Sequence, residues 1–439
     1  MAFICGPLEA CPLQNNLHKK IMSKARLLEA PKNLATAQHI QLNSSKSISN
    51  RLLIIQAIME QWASNKSLSK ARDSQTLLRL LQQEDQEILD AGDAGTSFRF
   101  LTAYLCLNDK KQVLTGSARM LERPIGPLVD ALRSLGAQID YLGQEGYPPL
   151  QIGAAQWKQS TEMPSLSIDG GISSQYISAL LLIAPVLPQG LRLQLTGEII
   201  SMPYIQMTLG LMERFGIDYL QAGKSFLIEP QNYQAPEKEF MVEGDWSAAA
   251  YYYALVALAP VGFELQLGQL QKNSLQGDAI IAELLDELGV TTEFLTAGKL
   301  RLRKRNCSLP SSLRYDCRHY PDLAQTLMAI AAVLNIPCQI FGLQSLRIKE
   351  TDRLAAMKTE LEKLGAEVEI GPDWMNIKSG LKVQPQKPFI CTYKDHRMAM
   401  ALAPLALLLG PLKFEQPEVV AKSYPAFWTD LAQLGFKLS

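Results

Sequence analysis

The chain has 439 residues, enough for two or three domains with buried cores. Its 43 Lys and Arg residues balance 43 Asp and Glu residues, so no global positive field favours nucleic acid or an anionic membrane. Hydrophobic residues make up 47% and charged residues 20%, and the longest apolar stretches, residues 179–187 and 398–409, are too short to span a bilayer. Together these values argue against extensive disorder, nucleic-acid binding through net charge and a membrane-spanning chain.

Residues 1–44 precede the first strongly apolar helix. They contain no basic segment followed by an apolar core, so no secretory signal is expected and a reducing cytoplasm is the predicted location. Residues 16–30 favour a short surface helix over a targeting segment, and a strand predicted through residues 39–42 is expected to join the C-terminal half. The seven cysteines and four histidines lack the spacing of a disulfide framework or a zinc site, so neither is predicted.

One pattern recurs five times along the chain: an amphipathic helix, a large apolar residue, a glycine and then a strand. The copies read LRSLGAQIDYL, MERFGIDYL, LDELGVTTEF, LEKLGAEVEI and LAQLGFKLS, with glycines Gly136, Gly216, Gly289, Gly365 and Gly435. Because glycine adopts a left-handed backbone without penalty, each is predicted to end its helix before the chain turns into the strand. The regular recurrence indicates one repeated structural unit.

A second helix of each repeat is apolar on nearly all sides, which indicates that it is buried. These helices begin near Ser47, Thr96, Ser174, Ser247, Asp322 and His396. Six repeats are therefore predicted, the first shortened between residues 58 and 93, where a strand pair is missing. The class is α+β, built from α/β repeats with helices inside and sheets outside. The predicted domains are residues 45–243 and 244–439, with three repeats each and with residues 1–44 joining the second.

Polar residues concentrate where the six buried helices begin, in SSKSISNR, DAGTSFR, SSQ, GDWSAAA, YPD and DHR. Several helix N-termini facing one cleft would bind an anion through their free N–H groups and dipoles. Capping explains the Ser, Thr and Asp residues there, but it does not explain cations, which oppose the dipole. The unexplained cations at helix starts are Lys46, Arg51, Arg99 and Arg397, and others in distinctive contexts are Arg123, Lys349, Arg353 and Lys422. They predict a locally built site for anionic groups.

Candidate acid and base groups lie among these cations. The carboxylates expected to take part in proton transfer are Asp322, Glu350 and Asp395. A neighbouring lysine can serve as the acid. Asp93 and Asp245 are interpreted as helix caps, and His396 as a structural hydrogen-bond donor rather than a general base.

At this point the motifs resemble a known family, the EPSP synthases (3-phosphoshikimate 1-carboxyvinyltransferases) of the enolpyruvyl transferase superfamily. The segments that carry the resemblance, in the family's order, are LNSSKSISNR, AGT, ERPIG, SSQ, GDWSAAA, IKETDR and DHRMAM. The resemblance implies a two-domain inside-out α/β barrel, each domain built from three βαβαββ units around buried parallel helices. It also implies enolpyruvyl transfer from phosphoenolpyruvate (PEP) to the 5-hydroxyl of shikimate 3-phosphate, with no cofactor or metal, by a monomer whose partners are these two small molecules.

The same resemblance assigns roles to individual residues. Those implied to bind shikimate 3-phosphate are Lys46, Ser47, Arg51, Ser173, Ser174, Gln175, Ser201, Asp322 and Lys349. Those implied to bind PEP are Lys46, Gly95, Arg123, Gln175, Arg353, Arg397 and Lys422. Asp322 is the expected base for the 5-hydroxyl, and Glu350 with Lys422 is expected to deliver a proton to the PEP methylene and later remove it.

The sequence departs from the family pattern at a few positions. Asn43 and Ser44 replace the usual Pro-Gly, Asp93 replaces an Asn, and Ser345 replaces another Asn. These changes are expected to affect PEP affinity rather than the principal catalytic groups.

Two other functions remain open at this stage. The sister transferase that uses UDP-N-acetylglucosamine typically carries a reactive Cys, whereas residues 119–125 read RMLERPI, and Lys46 is followed by Ser rather than Asn. A non-catalytic anion-binding protein would be expected to have lost one of the acid or base groups, and all of them are present. Both observations favour the shikimate acceptor and an active enzyme.

Overall fold

The computed structural model describes residues 25–35, 38–61, 67–83, 85–157, 162–296, 298–380 and 388–439. The helices are α1 Lys46–Ile58, α2 Arg72–Gln82, α3 Gly95–Tyr104, α4 Ala118–Leu121, α5 Gly126–Leu135, α6 Ser174–Ile183, α7 Met202–Arg214, α8 Trp246–Leu258, α9 Ile281–Leu284, α10 Ala324–Val333, α11 Arg353–Lys363, α12 His396–Leu402, α13 Ala406–Leu409 and α14 Phe427–Gln433. Within these described ranges, no helix is both long enough and apolar enough to cross a lipid bilayer.

The strands form four-stranded sheets. They are β1 Arg26–Glu29, β2 Gln38–Gln41, β3 Ile88–Asp90, β4 Gln112–Thr115, β5 Gln138–Tyr141, β6 Leu150–Gly153, β7 Ser165–Asp169, β8 Leu191–Thr196, β9 Leu220–Ala222, β10 Ser225–Ile228, β11 Glu264–Gly268, β12 Val290–Phe294, β13 Leu300–Lys304, β14 Leu313–Asp316, β15 Cys338–Phe341, β16 Glu367–Ile370, β17 Trp374–Ser379, β18 Phe389–Ile390, β19 Leu412–Phe414 and β20 Lys437–Leu438. Mixed helix and sheet, as predicted, make up the fold.

The third repeat of the N-terminal half shows the unit most completely. In chain order it runs β7, α6, β8, α7, β9 and β10. Its sheet has the order β7-β8-β10-β9, in which β7 and β8 are parallel and the other neighbours are antiparallel. Sheets with orders β3-β4-β6-β5 and β14-β15-β17-β16 repeat this arrangement. A parallel pair requires a crossover, and the apolar helix supplies it.

The segment before residue 45 completes the C-terminal half. Strand β2 pairs in parallel with β11, and β1 pairs antiparallel with β19 and β20. The chain leaves this half at Ser44 and returns at Gly244, and the two residues form an isolated antiparallel bridge. The predicted surface helix over residues 16–30 is wrong where it can be compared, since 26–29 form a strand, and residues 16–24 lie outside the described part.

The first repeat departs from the predicted three βαβαββ units per domain. Its described residues form α1 and α2, and no strand is present among them before β3, which begins the next repeat. Within the described residues of this repeat, more than the predicted strand pair is therefore missing. The described chain contains five four-stranded sheets for six repeats, and β1 supplies a strand that the last repeat would otherwise lack.

The apolar helices form the interior. Every residue of α8 except Ser247 is buried, because a helix with apolar residues on all sides is stable only when packed on all sides. The buried hydrophobic side chains form two clusters, one from Ile48 to Val242 and one from Leu28, Ile40 and Leu42 together with residues 246–436.

The five repeat glycines end their helices as predicted. Their φ angles are 114° at Gly136, 79° at Gly216 and Gly289, and 92° at Gly365 and Gly435, all in the left-handed region. At Gly136 a side chain is also excluded by space, because a Cβ there would collide with the backbone of residue 156. The local rule therefore predicted these turns correctly.

Candidate active site

The N-terminal ends of several buried helices meet at one cavity between the two clusters. Helices α1, α3, α6 and α12 each contribute residues from their first turn. The residues that line this main cavity are Lys46, Ser47, Arg51, Asp73, Gly95, Thr96, Arg123, Ser174, Gln175, Tyr204, Asp322, Lys349, Glu350, Arg353, His396 and Arg397. The concentration of cations at helix starts supports an anion-binding cavity.

Asp322 lies at the centre of the hydrogen bonds in this cavity. Its Oδ1 accepts from Arg353 Nη1 at 3.2 Å, and its Oδ2 accepts from Arg397 Nη2 at 2.6 Å. The hydroxyl of Tyr204 donates to the same Oδ2 at 3.2 Å. Pro321–Leu323 form a 3₁₀ turn that precedes α10, so a short and rigid segment presents the carboxylate to the cavity.

Arg353 joins three carboxylates. In addition to Asp322, its Nη2 donates to Glu350 Oε2 at 3.0 Å and its Nε to Asp395 Oδ2 at 2.7 Å. Glu350 in turn lies 3.8 Å from Lys422 Nζ through its Oε1. Asp395 also caps α12 by accepting from the Arg397 amide, an arrangement that suits a structural carboxylate better than the acid or base predicted for it.

The charges fix the protonation of the two central carboxyls. Burial acts to raise the pKa of Asp322, but Arg397 and Lys349 outweigh it and hold that pKa below its usual value. Burial likewise acts to raise the pKa of Glu350, but the positive charges of Arg353 and Lys422 outweigh it and hold that pKa well below its usual value. Both groups are therefore carboxylates at neutral pH.

The lysine and tyrosine near them respond differently. Burial lowers the pKa of Lys349, while the Asp322 charge acts in the opposite direction. Burial, followed by the negative charges of Asp278 and Asp322, raises the pKa of Tyr204 well above its usual value. Tyr204 therefore keeps its hydroxyl proton and can donate it to Asp322 or, at 3.5 Å, to Asp278.

The N-terminal half supplies cations with mostly neutral partners. Arg51 donates to Thr208 Oγ1 at 2.7 Å, to Ser178 Oγ at 3.1 Å and to the carbonyls of Ser47 and Tyr204. Lys46 Nζ lies 3.5 Å from Asp73 Oδ2. Arg51 lines the cavity as predicted, but most of its donors are already used within the protein.

Gly95 and Arg123 lie against each other in the cavity. A Cβ at Gly95 would collide with the Arg123 guanidinium, so the missing side chain makes room for this cation. The family resemblance implies only that Gly95 contacts PEP. Among the described residues, the buried Arg123 Nε has no hydrogen-bond partner.

An adjoining cavity contains the predicted serines. Ser173 and Ser201 line it together with Ser174, Gln175 and Lys349, which it shares with the main cavity. Ser201 has a left-handed backbone, with φ 57°, and its amide donates to the carbonyl of Arg318 in the other half at 2.8 Å.

Lys422 lines a third cavity with Asp93, Arg119, Arg123 and Glu350. Its Nζ donates to the Asp93 carbonyl and contacts Asp73 Oδ1 at 3.2 Å. The structure therefore brings every residue to which the family resemblance assigns a substrate or catalytic role to three neighbouring cavities, whereas Asp395, the other predicted acid or base, is fully buried and lines none of them. Among the described residues, no group of three or more His, Cys, Asp or Glu side chains is arranged to hold a metal ion.

The residues that depart from the family pattern make contacts or line a cavity in the structure. Asn43 Oδ1 accepts from the Lys70 amide at 3.2 Å, which holds the segment before α2. Asp93 is not the helix cap predicted for it, because α3 is preceded by Ala94 without a side-chain cap, and its Oδ1 instead accepts from Ser117 Oγ. Ser345 lines the adjoining cavity. Asp245, in contrast, caps α8 as predicted, accepting from the Ser247 amide at 2.9 Å.

Sequence reasoning missed or misread four residues of the main cavity, which are Asp73, Thr96, Tyr204 and His396. Asp73 and Tyr204 carry no local signal, since an acidic residue in the first turn of α2 and a tyrosine after a proline are both ordinary. His396 is buried, and within the described chain neither of its ring nitrogens has a hydrogen-bond partner, so the predicted structural donor role is wrong. Burial, with the charge of Lys46, holds the pKa of His396 well below its usual value, so the ring is neutral.

Known proteins resemble the chain over nearly its full length. The model of the family described as EPSP synthase (3-phosphoshikimate 1-carboxyvinyltransferase) matches residues 63–431. A 3-phosphoshikimate 1-carboxyvinyltransferase from Bacteroides fragilis (strain YCH46) is 46% identical over 412 residues, covering 93% of this chain and 98% of that protein. One from Bordetella petrii is 37% identical over 439 residues, covering 93% and 96%.

Solved structures resemble the fold. An EPSP synthase from Acinetobacter baumannii matches with a TM-score of 0.70 at 23% identity, covering 94% of this chain and all of that one. The enolpyruvyl transferase NikO from Streptomyces tendae matches with a TM-score of 0.71 at 15% identity, covering 95% and 99%. At these identities the two structures support the fold alone, whereas the sequence matches decide the family: the chain belongs to the EPSP synthase family.

Proposed function

We propose that the chain transfers the enolpyruvyl group of PEP to the 5-hydroxyl of shikimate 3-phosphate and releases phosphate. One observation carries the proposal: two ionised carboxylates, Asp322 and Glu350, share Arg353, and Lys422 lies beside Glu350 in the same group of cavities. Membership of the family supports the same reaction. The product, 5-enolpyruvylshikimate 3-phosphate, serves chorismate and aromatic amino-acid biosynthesis.

The acceptor lies against the helix starts of the N-terminal half. The residues assigned to shikimate 3-phosphate are Lys46, Ser47, Arg51, Ser173, Ser174, Gln175, Ser201, Asp322 and Lys349. Hydroxyls and Lys349 in the adjoining cavity suit a phosphate, because they combine several donors with one charge. Arg51 acts mainly by holding the Ser47 carbonyl, since its other donors already have partners.

The donor lies between Arg123 and the cations of the C-terminal half. The residues assigned to PEP are Lys46, Gly95, Arg123, Gln175, Arg353, Arg397 and Lys422. The unpartnered Nε of Arg123 is a free donor toward an anion. Arg397 donates to Asp322, Tyr251 and Ser247, so binding a PEP oxygen requires Arg397 to exchange one of these partners.

Addition begins at the 5-hydroxyl. Its oxygen attacks C2 of PEP while Asp322 takes the proton. The low pKa of Asp322 makes it a weak base in isolation, but the attacking oxygen becomes strongly acidic as its bond to C2 forms, so a weak base in place is sufficient. Hydrogen bonds from Tyr204 and Arg353 hold the carboxylate in one orientation.

Proton transfer at C3 completes the addition and then the elimination. Lys422 delivers a proton to the PEP methylene, which gives a tetrahedral ketal with a methyl group. Glu350 then removes a proton from this methyl as the C2–O bond to phosphate breaks and the enol double bond forms again, and it passes that proton to the Lys422 amine 3.8 Å away, which restores both groups. The departing phosphate takes up the proton held by Asp322, and the cations around it stabilise its charge.

The two hydrophobic clusters support the domains 45–243 and 244–439, with residues 1–44 joining the second. We propose that these are the halves of a two-domain inside-out α/β barrel that closes on the substrates and excludes water from PEP. The monomeric state and the cytoplasmic location stay predictions.

The function is tested by measuring phosphate release from PEP with purified protein and one of two acceptors. We expect release with shikimate 3-phosphate and none above background with UDP-N-acetylglucosamine. Release with the nucleotide sugar alone would assign the chain to the sister activity. Release with neither acceptor would overturn the proposal of an active transferase.

A further inference from the structure

Arg119 joins the two halves of the molecule at the segment that carries Lys349 and Glu350. It lies in α4, in the N-terminal half, and its Nη2 donates to the Lys349 carbonyl at 3.0 Å. Its Nε donates to the Glu350 carbonyl at 3.2 Å. One guanidinium from the N-terminal half thus donates hydrogen bonds to two consecutive carbonyls in the C-terminal half.

The segment around these carbonyls depends on side chains for its support. It consists of the 3₁₀ turn Gln344–Ile348 followed by irregular backbone up to α11. On its own half it is held by Arg347, which donates to the carbonyls of Gly371 and Pro372 and to Asp352. Toward the other half it is held by Arg119. Buried or half-buried carbonyls need a donor, and a charged donor gives the stronger bond.

Arg119 is itself fixed in place by its surroundings. Its Nη1 donates to Glu122 Oε2 at 2.9 Å. The turn of α4 begins with Ser117, whose Oγ accepts from the Met120 amide and also contacts the Asp93 carboxylate. The family departure at Asp93 therefore supports the short helix that carries Arg119.

We infer that Arg119 is a positioning residue. Its hydrogen bonds to the Lys349 and Glu350 carbonyls form a clasp between the two halves, which fixes the backbone of these two residues. The inference rests on the proposed function. Each of the three guanidinium nitrogens of Arg119 already has a protein partner, so no substrate contact is assigned to it. Replacing Arg119 would leave the Lys349 and Glu350 side chains present but would free the backbone that orients them. Misplacing a reacting group by about 1 Å costs on the order of 100-fold in rate.

The experiment compares Arg119→Ala with a matched control, Arg133→Ala. Arg133 also donates through Nε and Nη2 to a carbonyl, that of Ile139, but within its own half. We expect Arg119→Ala to lower kcat/KM by about 10-fold to 100-fold, mostly through kcat, with the melting temperature unchanged. Arg133→Ala should leave kcat/KM within about twofold of wild type.

Two further readouts separate positioning from a general structural role. Millimolar guanidinium ion should partly restore turnover to Arg119→Ala, and Arg119→Lys should fall between wild type and Arg119→Ala because an ammonium reaches the carbonyls without the planar fork. Wild-type turnover in Arg119→Ala, or a loss no larger than in Arg133→Ala, would overturn the inference.

Hydrogen–deuterium exchange of peptides covering residues 344–352 needs no substrate. Faster exchange there in Arg119→Ala than in wild type or Arg133→Ala supports the clasp, and unchanged exchange overturns it. If the wild-type protein releases no phosphate from PEP and shikimate 3-phosphate, the proposed function fails, and this exchange measurement still decides on the clasp. If Arg119→Ala does not fold, Glu122→Gln, which loosens the anchor of Arg119, is measured in its place with the same expected direction.

Discussion

The two walls of the cleft carry cations in similar positions but partner them differently. On the C-terminal wall, Arg353 and Arg397 are bound to the carboxylates of Asp322, Glu350 and Asp395. On the N-terminal wall, Arg51 is bound to hydroxyls and carbonyls, Lys46 pairs with Asp73, and the Arg123 Nε has no hydrogen-bond partner among the described residues. The difference indicates that the N-terminal wall attracts anions, whereas the C-terminal wall moves protons.

The largest effect is expected from Asp322→Asn, which removes the carboxylate that accepts the 5-hydroxyl proton but keeps the shape of the side chain. Turnover should fall by about 1,000-fold, within the range for loss of a general base, while shikimate 3-phosphate still binds. Steady-state phosphate release and calorimetric binding measure the two quantities. Asp130→Asn, in an exposed part of α5, is the control, and near-normal turnover in Asp322→Asn would rule out its role as the base.

Glu350→Gln should lower turnover by roughly 100-fold, because it removes the carboxylate that takes the proton from the intermediate. Lys422 and Arg353 remain, so the KM for PEP should change less than kcat. Rapid-quench analysis should show the tetrahedral intermediate persisting longer than in wild type. Unchanged decay of this intermediate would assign the proton removal to another group.

Arg123→Gln tests the N-terminal wall. Removing this cation should raise the KM for PEP by about 10-fold or more, the amount expected for a charge-assisted contact, while kcat at saturating PEP stays within a few-fold of wild type. Steady-state kinetics with each substrate varied in turn provides the check. A fall in kcat as large as the expected rise in KM, which no PEP concentration overcomes, would instead show that Arg123 acts in the chemical step.

The smallest effect is expected on stability, from the buried carboxyl of Asp278 behind the C-terminal wall. Burial, followed by the charge of Asp322, raises the pKa of Asp278 to about 7. Because the folded value lies above the unfolded one, its contribution to stability is present below about pH 4 and is lost as the pH rises toward 7. Asp278→Asn should therefore be more stable than wild type at pH 8, by an amount that shrinks toward pH 4. Urea unfolding at several pH values measures this, and a constant difference would contradict it.

Most local patterns were read correctly, whereas the long-range pairings were predicted only in part: the strand at residues 38–41 joins the C-terminal half as expected. The repeat glycines follow from a helix-end rule that needs only a few neighbouring residues, and their φ angles agree with it. Strand β1 was missed because its partners β19 and β20 lie at the other end of the chain. The first repeat was recognised as short from its spacing, but the sequence did not show how many strands it lacks.

The site follows the same division. Motif residues such as Lys46 and Arg353 were found because each stands in a distinctive segment. Asp73 and Tyr204 become site residues only when the two halves meet, so no segment of sequence reveals them. Asp93 was taken for a cap because it stands just before a buried helix, yet its carboxylate turns toward Ser117.

The most direct test of the two-wall account measures Asp322→Asn and Arg123→Gln side by side for phosphate release and shikimate 3-phosphate affinity. The account predicts opposite patterns: Asp322→Asn loses turnover at every substrate concentration and keeps its affinity, whereas Arg123→Gln regains turnover as PEP is raised. If both variants lose kcat to the same extent, or if Asp322→Asn turns over normally, the division between a binding wall and a proton-transfer wall is contradicted.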